Sequence, residues 1–126
     1  MMIEIYDPLY KNRLLVAIGE THAAVVRRIE RQTKSKLSDD DVDMLRIRGD
    51  ARSVAFPAGA RVMMLPRYQH APYWYAMLAH EAYHVATFLT DHVGIKRSEA
   101  SDEAVAYEVE YAVRQVLERV MRKRKR

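Results

Sequence analysis

Leu78-Ala79-His80-Glu81-Ala82-Tyr83-His84-Val85 is the stretch on which the reading of this chain turns. It lies inside a longer run with helical spacing. Pro72 opens that run, where a missing N–H is harmless. Apolar or aromatic residues recur at Tyr73, Trp74, Met77, Leu78, Val85 and Phe88, and the run ends near Gly94. Within a helix, residues four apart share a face, so His80 and His84 stand one turn apart and can grip one metal ion. Glu81, next to the first histidine, points toward a water that such an ion would carry. Ala79, Ala82 and Ala86 are small enough to let another element approach closely. Two histidines and a glutamate on a mostly apolar helix are costly to bury without partners. The competing reading is a histidine pair satisfied by hydrogen bonds at the edge of a core.

Working outward, Ile3 to Tyr6 alternates apolar and polar residues and reads as a short strand or extended arm, broken by Asp7-Pro8. Leu14-Leu15-Val16-Ala17-Ile18, closed by Gly19, has the form of a buried strand. Glu20 to Thr33 follows with helical spacing: Ala24, Val25 and Ile29 on one side, Arg27, Arg28, Glu30 and Arg31 on the other, with Thr21 placed to cap it. Asp39-Asp40-Asp41 lacks the alternating acids, central Gly and terminal Glu of a calcium loop, so it reads as a solvated turn or helix start. Ser53 to Phe56 and Arg61 to Leu65 are two further strands, and the short Pro57 to Ala60 link predicts a hairpin between them. The final helix starts at Ser98 or Ser101 and runs to about Val120, with Val105, Val109, Ala112, Val113, Val116 and Val120 inward. Tyr73-Trp74-Tyr75 reads as an aromatic anchor for the histidine helix. His22 and His70 are isolated and read as surface or hydrogen-bonded residues. The fold expected is α+β: a small, mainly antiparallel sheet with about three helices, one packed from the N-terminal half and two beside the histidine pair.

Composition sets the boundaries. The chain has 126 residues, 49% of them hydrophobic, which suits one domain with one core. It has no cysteine, which excludes disulfides, thiolate metal ligands and a thiol nucleophile, and fits a reducing compartment such as the cytoplasm. The N-terminal segment, with Glu4 and Asp7, does not read as a signal peptide, and no run approaches the roughly 18 apolar residues that span a bilayer. The net charge is +4, and Arg122 to Arg126 alone contributes five positive charges, so the basicity belongs to the tail. Such a tail suits a solvated helix end. The other reading is weak, salt-sensitive contact with a polyanion such as nucleic acid.

A catalytic zinc takes three protein ligands and keeps one open position. His92 lies two turns beyond His84, too far along the same helix, and a histidine at position 90 is replaced by Thr90. The remaining acids cluster on the final helix: Glu99, Asp102, Glu103, Glu108 and Glu110. Glu103 is the first choice. It lies near the start of that helix, after a connection long enough to reverse direction, with Ala100 and Ala104 beside it. Glu108, flanked by Ala104 and Ala112, is its rival, and spacing does not separate them. Glu110 reads as a surface charge.

His80-Glu81-x-x-His84 followed by Asp102-Glu103-Ala104-x-x-Tyr107 resembles the pattern of gluzincin-type zinc metallopeptidases. The closer resemblance is to small single-domain proteins of that kind carried by phages and prophages. It covers residues 61 to 120 well and the N-terminal half loosely. The resemblance implies a minimal zincin-like domain over residues 1–120, with a basic tail over 121–126. It implies Zn2+ held by His80, His84 and Glu103, with Glu81 as general base, and a protein or peptide substrate. One departure stands out. The larger group commonly carries an acid one turn after the ligand glutamate, whereas this chain has Tyr107, which is less effective at raising ligand basicity. Tyr107, Tyr111, Tyr68 and His70 are candidates to stabilise an oxyanion. The strand Arg61 to Leu65 would serve either as a sheet edge for a substrate peptide or as plain core. Two other functions stay open: a zincin-fold binding module of phage origin that engages a host protein or nucleic acid, and an amidohydrolase acting on a carbonyl other than a peptide's.

Overall fold

A computed structural model describes residues 1–96 and 98–124. In chain order the elements are β1 (Met2–Asp7), β2 (Asn12–Ile18), α1 (His22–Thr33), α2 (Asp39–Met44), β3 (Arg52–Ala55), β4 (Arg61–Leu65), α3 (Pro72–His92) and α4 (Glu99–Arg124). The four strands form one sheet in the order β1-β2-β4-β3. β1 pairs antiparallel with β2, with Ile3 opposite Val16. β2 pairs parallel with β4, with Val16 opposite Met63. β4 pairs antiparallel with β3 through the expected hairpin, with Val54 opposite Val62. The fold is therefore α+β with a mixed, mostly antiparallel sheet. The sequence reading anticipated about three helices; a fourth, α2, is one and a half turns long and grows from the Asp39-Asp40-Asp41 run. Ser38 caps it by accepting the Asp41 N–H at 3.1 Å, and three carboxylates in a first turn suit the helix dipole.

The continuous apolar run of β2 is explained by its central position. Leu14, Val16 and Ile18 face one side of the sheet, where they join Ile3, Ile5, Met63 and Leu65 under α3 and α4. Leu15 and Ala17 face the other side, where they join Val62, Met64, Val25, Ile29 and Leu45 under α1. A strand buried on both faces needs no polar alternation. The molecule is thus three layers: α1 and α2, the sheet, then α3 with α4.

The helix ends follow local chemistry. Thr21 accepts the Ala24 N–H at 3.1 Å and caps α1. Pro72 begins α3. Trp74 is fully buried and its indole N–H donates to the Pro66 carbonyl at 3.0 Å, pinning the first turn of α3 to the end of β4. Ser98 and Ser101 exchange hydrogen bonds at the start of α4, each backbone N–H donating to the other's hydroxyl, as in a capping box. α4 continues through Arg124, past the expected end near Val120; of the basic tail, positions 125 and 126 lie outside the described residues, as does 97. Gly59 in the β3–β4 turn has φ +99°, and a Cβ there would stand 2.4 Å from the His92 ring. The exposed His92 ring therefore lies against the hairpin turn. No helix among the described residues is long and apolar enough to cross a membrane.

Candidate metal centre

α3 turns Trp74, Leu78, Ala82, Val85 and Leu89 into the core. The same helical rotation leaves His80 on the outer face, its side chain 69% exposed, with His84 one turn on and half-buried. Their Nε2 atoms stand 3.1 Å apart. Two nitrogens each about 2.0–2.1 Å from one zinc at a tetrahedral angle are separated by about 3.3 Å, so the pair has the spacing of a chelate. The Phe88 ring lies near parallel to the His84 ring, with centroids 6.3 Å apart.

Glu81 sits between this outer face and the sheet and is only 6% exposed. Its Oε1 accepts a hydrogen bond from Ser53 Oγ at 2.8 Å, and its Oε2 lies 4.0 Å from His80 Nε2. One oxygen is held by the sheet and the other is aimed at the histidines. The Glu81 carbonyl lies 3.3 Å from the same hydroxyl, a second and more distant acceptor for its single proton. The strand alternation that buries Val54 under α1 is what turns Ser53 to α3. Nothing in the sequence pattern singled out Ser53, because its role depends on which strand crosses the helix.

β3 is also the free edge of the sheet on this side. The reading of Arg61 to Leu65 as a sheet edge is corrected: β4 is hydrogen-bonded on both sides and all five of its residues are buried. The alternative reading of that strand, core packing, is what the structure shows. Arg61 is buried as well. Its Nε donates to Asn12 Oδ1 and its Nη1 to the Val85 carbonyl, each at 2.8 Å.

The two carboxylates considered for the third ligand go to different places. Glu108 is 3% exposed and turned toward Asp7 of β1, with Arg61 nearby. Burial, and then the hydrogen bond and charge of Asp7, push its carboxyl up to about 8, against the opposing pull of Arg61. Asp7 Oδ1 accepts the N–H groups of Leu9 and Tyr10 at 2.8 and 3.1 Å. Glu108 therefore joins α4 to β1 as a protonated acid facing Asp7. Glu103 is exposed on the second turn of α4. Among the described residues, no three His, Asp or Glu side chains gather closely enough to hold one ion. The structure brings together His80, His84 and Glu81, and does not bring Glu103 to them.

Of the other candidates, Tyr107 is exposed and stacks on Tyr111, whose hydroxyl donates to the Tyr6 carbonyl at 3.0 Å. Tyr68 and His70 both contact the Tyr75 hydroxyl at 2.6 Å in the aromatic anchor before α3. His22 Nε2 meets the Val42 carbonyl at 2.7 Å. Glu110 is exposed and ion-paired with Arg114 at 2.9 Å, as its surface reading requires. Beside the histidine helix, a groove of about 430 Å³ runs between α3 and α4, with Tyr83, Thr87, Val105 and Val109 in its walls and Asp102 and Glu110 at its polar positions. The Tyr83 and His84 rings, with centroids 6.2 Å apart, set this groove next to the pair.

The fold and site together define an α+β domain with an exposed His-Glu-x-x-His helix flanked by a free strand edge. No protein-family model, no curated protein and no solved structure matches the chain.

Proposed function

We propose that this chain is a zinc-dependent hydrolase, a minimal metallopeptidase that cleaves peptide bonds in the cytoplasm. The observation that carries the reading is the joint geometry of α3: two imidazole nitrogens 3.1 Å apart, with a buried glutamate held by Ser53 beside them. His80 and His84 would hold the ion; the resemblance implies Glu103 as the third ligand, a side chain that the structure leaves exposed and apart from the pair. When bound, zinc supplies an acidified water and polarises a carbonyl. Glu81 would receive a proton on Oε2, a choice of oxygen that the Ser53 hydrogen bond to Oε1 supports. It then returns that proton to the leaving amine. The free edge of β3, next to Glu81, offers unpaired backbone groups to an extended peptide. The groove between α3 and α4 would take a side chain of that peptide. Its apolar walls and the Asp102 carboxylate favour a long side chain with a cationic end.

The test is Glu81→Gln. The variant is expected to retain zinc and lose hydrolysis of an unfolded protein such as casein. Loss of zinc as complete as in His84→Ala would show that Glu81 is not a general base.

The 3.1 Å Nε2 separation also fits an imidazole–imidazole hydrogen bond. That observation supports the second reading, a zincin-like binding module of phage origin that engages a host protein or nucleic acid. In that case neither variant changes metal content, because there is none to lose.

A further inference from the structure

α4 has two faces with different fates. Glu108, Ala112, Val116 and Val120 recur every four residues and are buried against α3 and the sheet. On the adjoining outer side a second apolar ridge also recurs every four residues: Val113, Leu117 and Met121. Val113 and Leu117 touch the core with one side only, and Met121 is 40% exposed. Alongside runs a charged ridge of the same period, Glu110, Arg114, Glu118 and Arg122. Among the described residues, these two ridges alone line an open groove of about 730 Å³.

The charge sequence along that ridge is acid, base, acid, base. It is complementary to its own reversal. If a second copy of α4 lies antiparallel across the groove, related by a two-fold axis at the level of Val116, then residues whose numbers average 116 face each other. Glu110 meets the partner's Arg122, and Arg114 meets the partner's Glu118, so the two-fold produces four opposite-charge pairings in all. The same axis sets apolar ridge against apolar ridge. With a rise of about 1.5 Å per residue, the six apolar side chains alternate between the copies at about 3 Å steps. A parallel pairing of the two helices would instead set each charged ridge against an apolar one. A C2 contact of this kind uses the same patch on both subunits.

We infer that the outer face of α4 is a homodimer interface in which two copies pair antiparallel through Val113, Leu117 and Met121, with register set by Glu110–Arg122 and Arg114–Glu118 contacts. This inference is independent of whether the histidine pair binds metal.

The test is sedimentation equilibrium of the full chain over a range of concentrations, with helicity and melting recorded for every variant. The wild type is expected to approach twice its 14.7 kDa monomer mass as concentration rises, and to dissociate more readily in high salt. Arg114→Glu places two acids opposite each other, twice per dimer, and Glu118→Arg does the same with two bases. Each should raise the dissociation constant at least about tenfold. The double reversal, Arg114→Glu with Glu118→Arg, restores opposite charges across the axis and should return it to within about threefold of wild type. Leu117→Asp should be monomeric throughout while remaining folded. A wild type that stays monomeric at its highest soluble concentration overturns the proposal. So does a double reversal no better than either single change, because it removes the antiparallel register.

Discussion

The Glu108 carboxyl offers a quantitative test of how α4 is docked on the sheet. Its pKa is raised from 4.5 to about 8, first by burial and then by Asp7. The folded chain therefore holds this proton more tightly than the unfolded chain does. Stability from that source is fully present below about pH 4.5 and is lost as pH rises through about 8. At about 1.4 kcal/mol per unit, the ceiling is about 5 kcal/mol. Relaxation of buried carboxyls and entry of water bring the expected effect to about 2–3 kcal/mol. Glu108→Gln keeps the shape, still donates a hydrogen bond to Asp7 and cannot ionise. Urea unfolding of both proteins from about pH 5 to about pH 9 isolates the group, because titrations remote from Glu108 are common to the two and cancel in the difference. The variant should lie within about 1 kcal/mol of wild type at the acid end and exceed it by about 2–3 kcal/mol at the alkaline end. Parallel stability curves would refute the shared-proton account of the α4–β1 contact.

Three further outcomes follow from named contacts. Ser53→Ala frees Oε1 of Glu81; zinc content should be unchanged while the hydrolytic rate falls about tenfold, equivalent to about 1.4 kcal/mol, and equal rates would show that β3 does not position the glutamate. Gly59→Ala puts a side chain at a φ of +99° and a methyl against the exposed His92 ring and should cost about 1–3 kcal/mol, read as a lowered melting temperature; an unchanged melt would mean that the turn does not need this backbone conformation. Leu78→Ala empties a fully buried position between β2 and α4 and should cost about 2–5 kcal/mol by chemical denaturation, with a much smaller loss indicating that the core there collapses around the gap.

Much of this fold is legible in the sequence because its signals are local. The Leu14–Ile18 run, the Pro57–Ala60 turn, Thr21 at a helix start and Pro72 at another each act within a few residues, and the structure bears them out. The site is legible on the same terms only where it is local. A spacing of four puts His80 and His84 together whatever the rest of the chain does. What the sequence leaves open is everything set by long-range pairing. Ser53 meets Glu81 because β3 is the strand that crosses α3. β4 lies inside the sheet because β2 pairs with it in parallel across α1, α2 and β3, a crossover that periodicity does not reveal. Glu103 and Glu108 both border the apolar stripe of α4, and their different environments come from Asp7 and Arg61, more than forty residues away. Arg61 reads as the polar start of a strand, yet it is buried, because Asn12 and the Val85 carbonyl accept its hydrogen bonds.

The most direct test of the metal-centre proposal is the zinc content of the purified chain by elemental analysis, beside His84→Ala. The proposal predicts close to one zinc per chain in the wild type and none in the variant. No tightly held metal in either protein, even after zinc is supplied, would contradict it and leave His80 and His84 as a hydrogen-bonded pair.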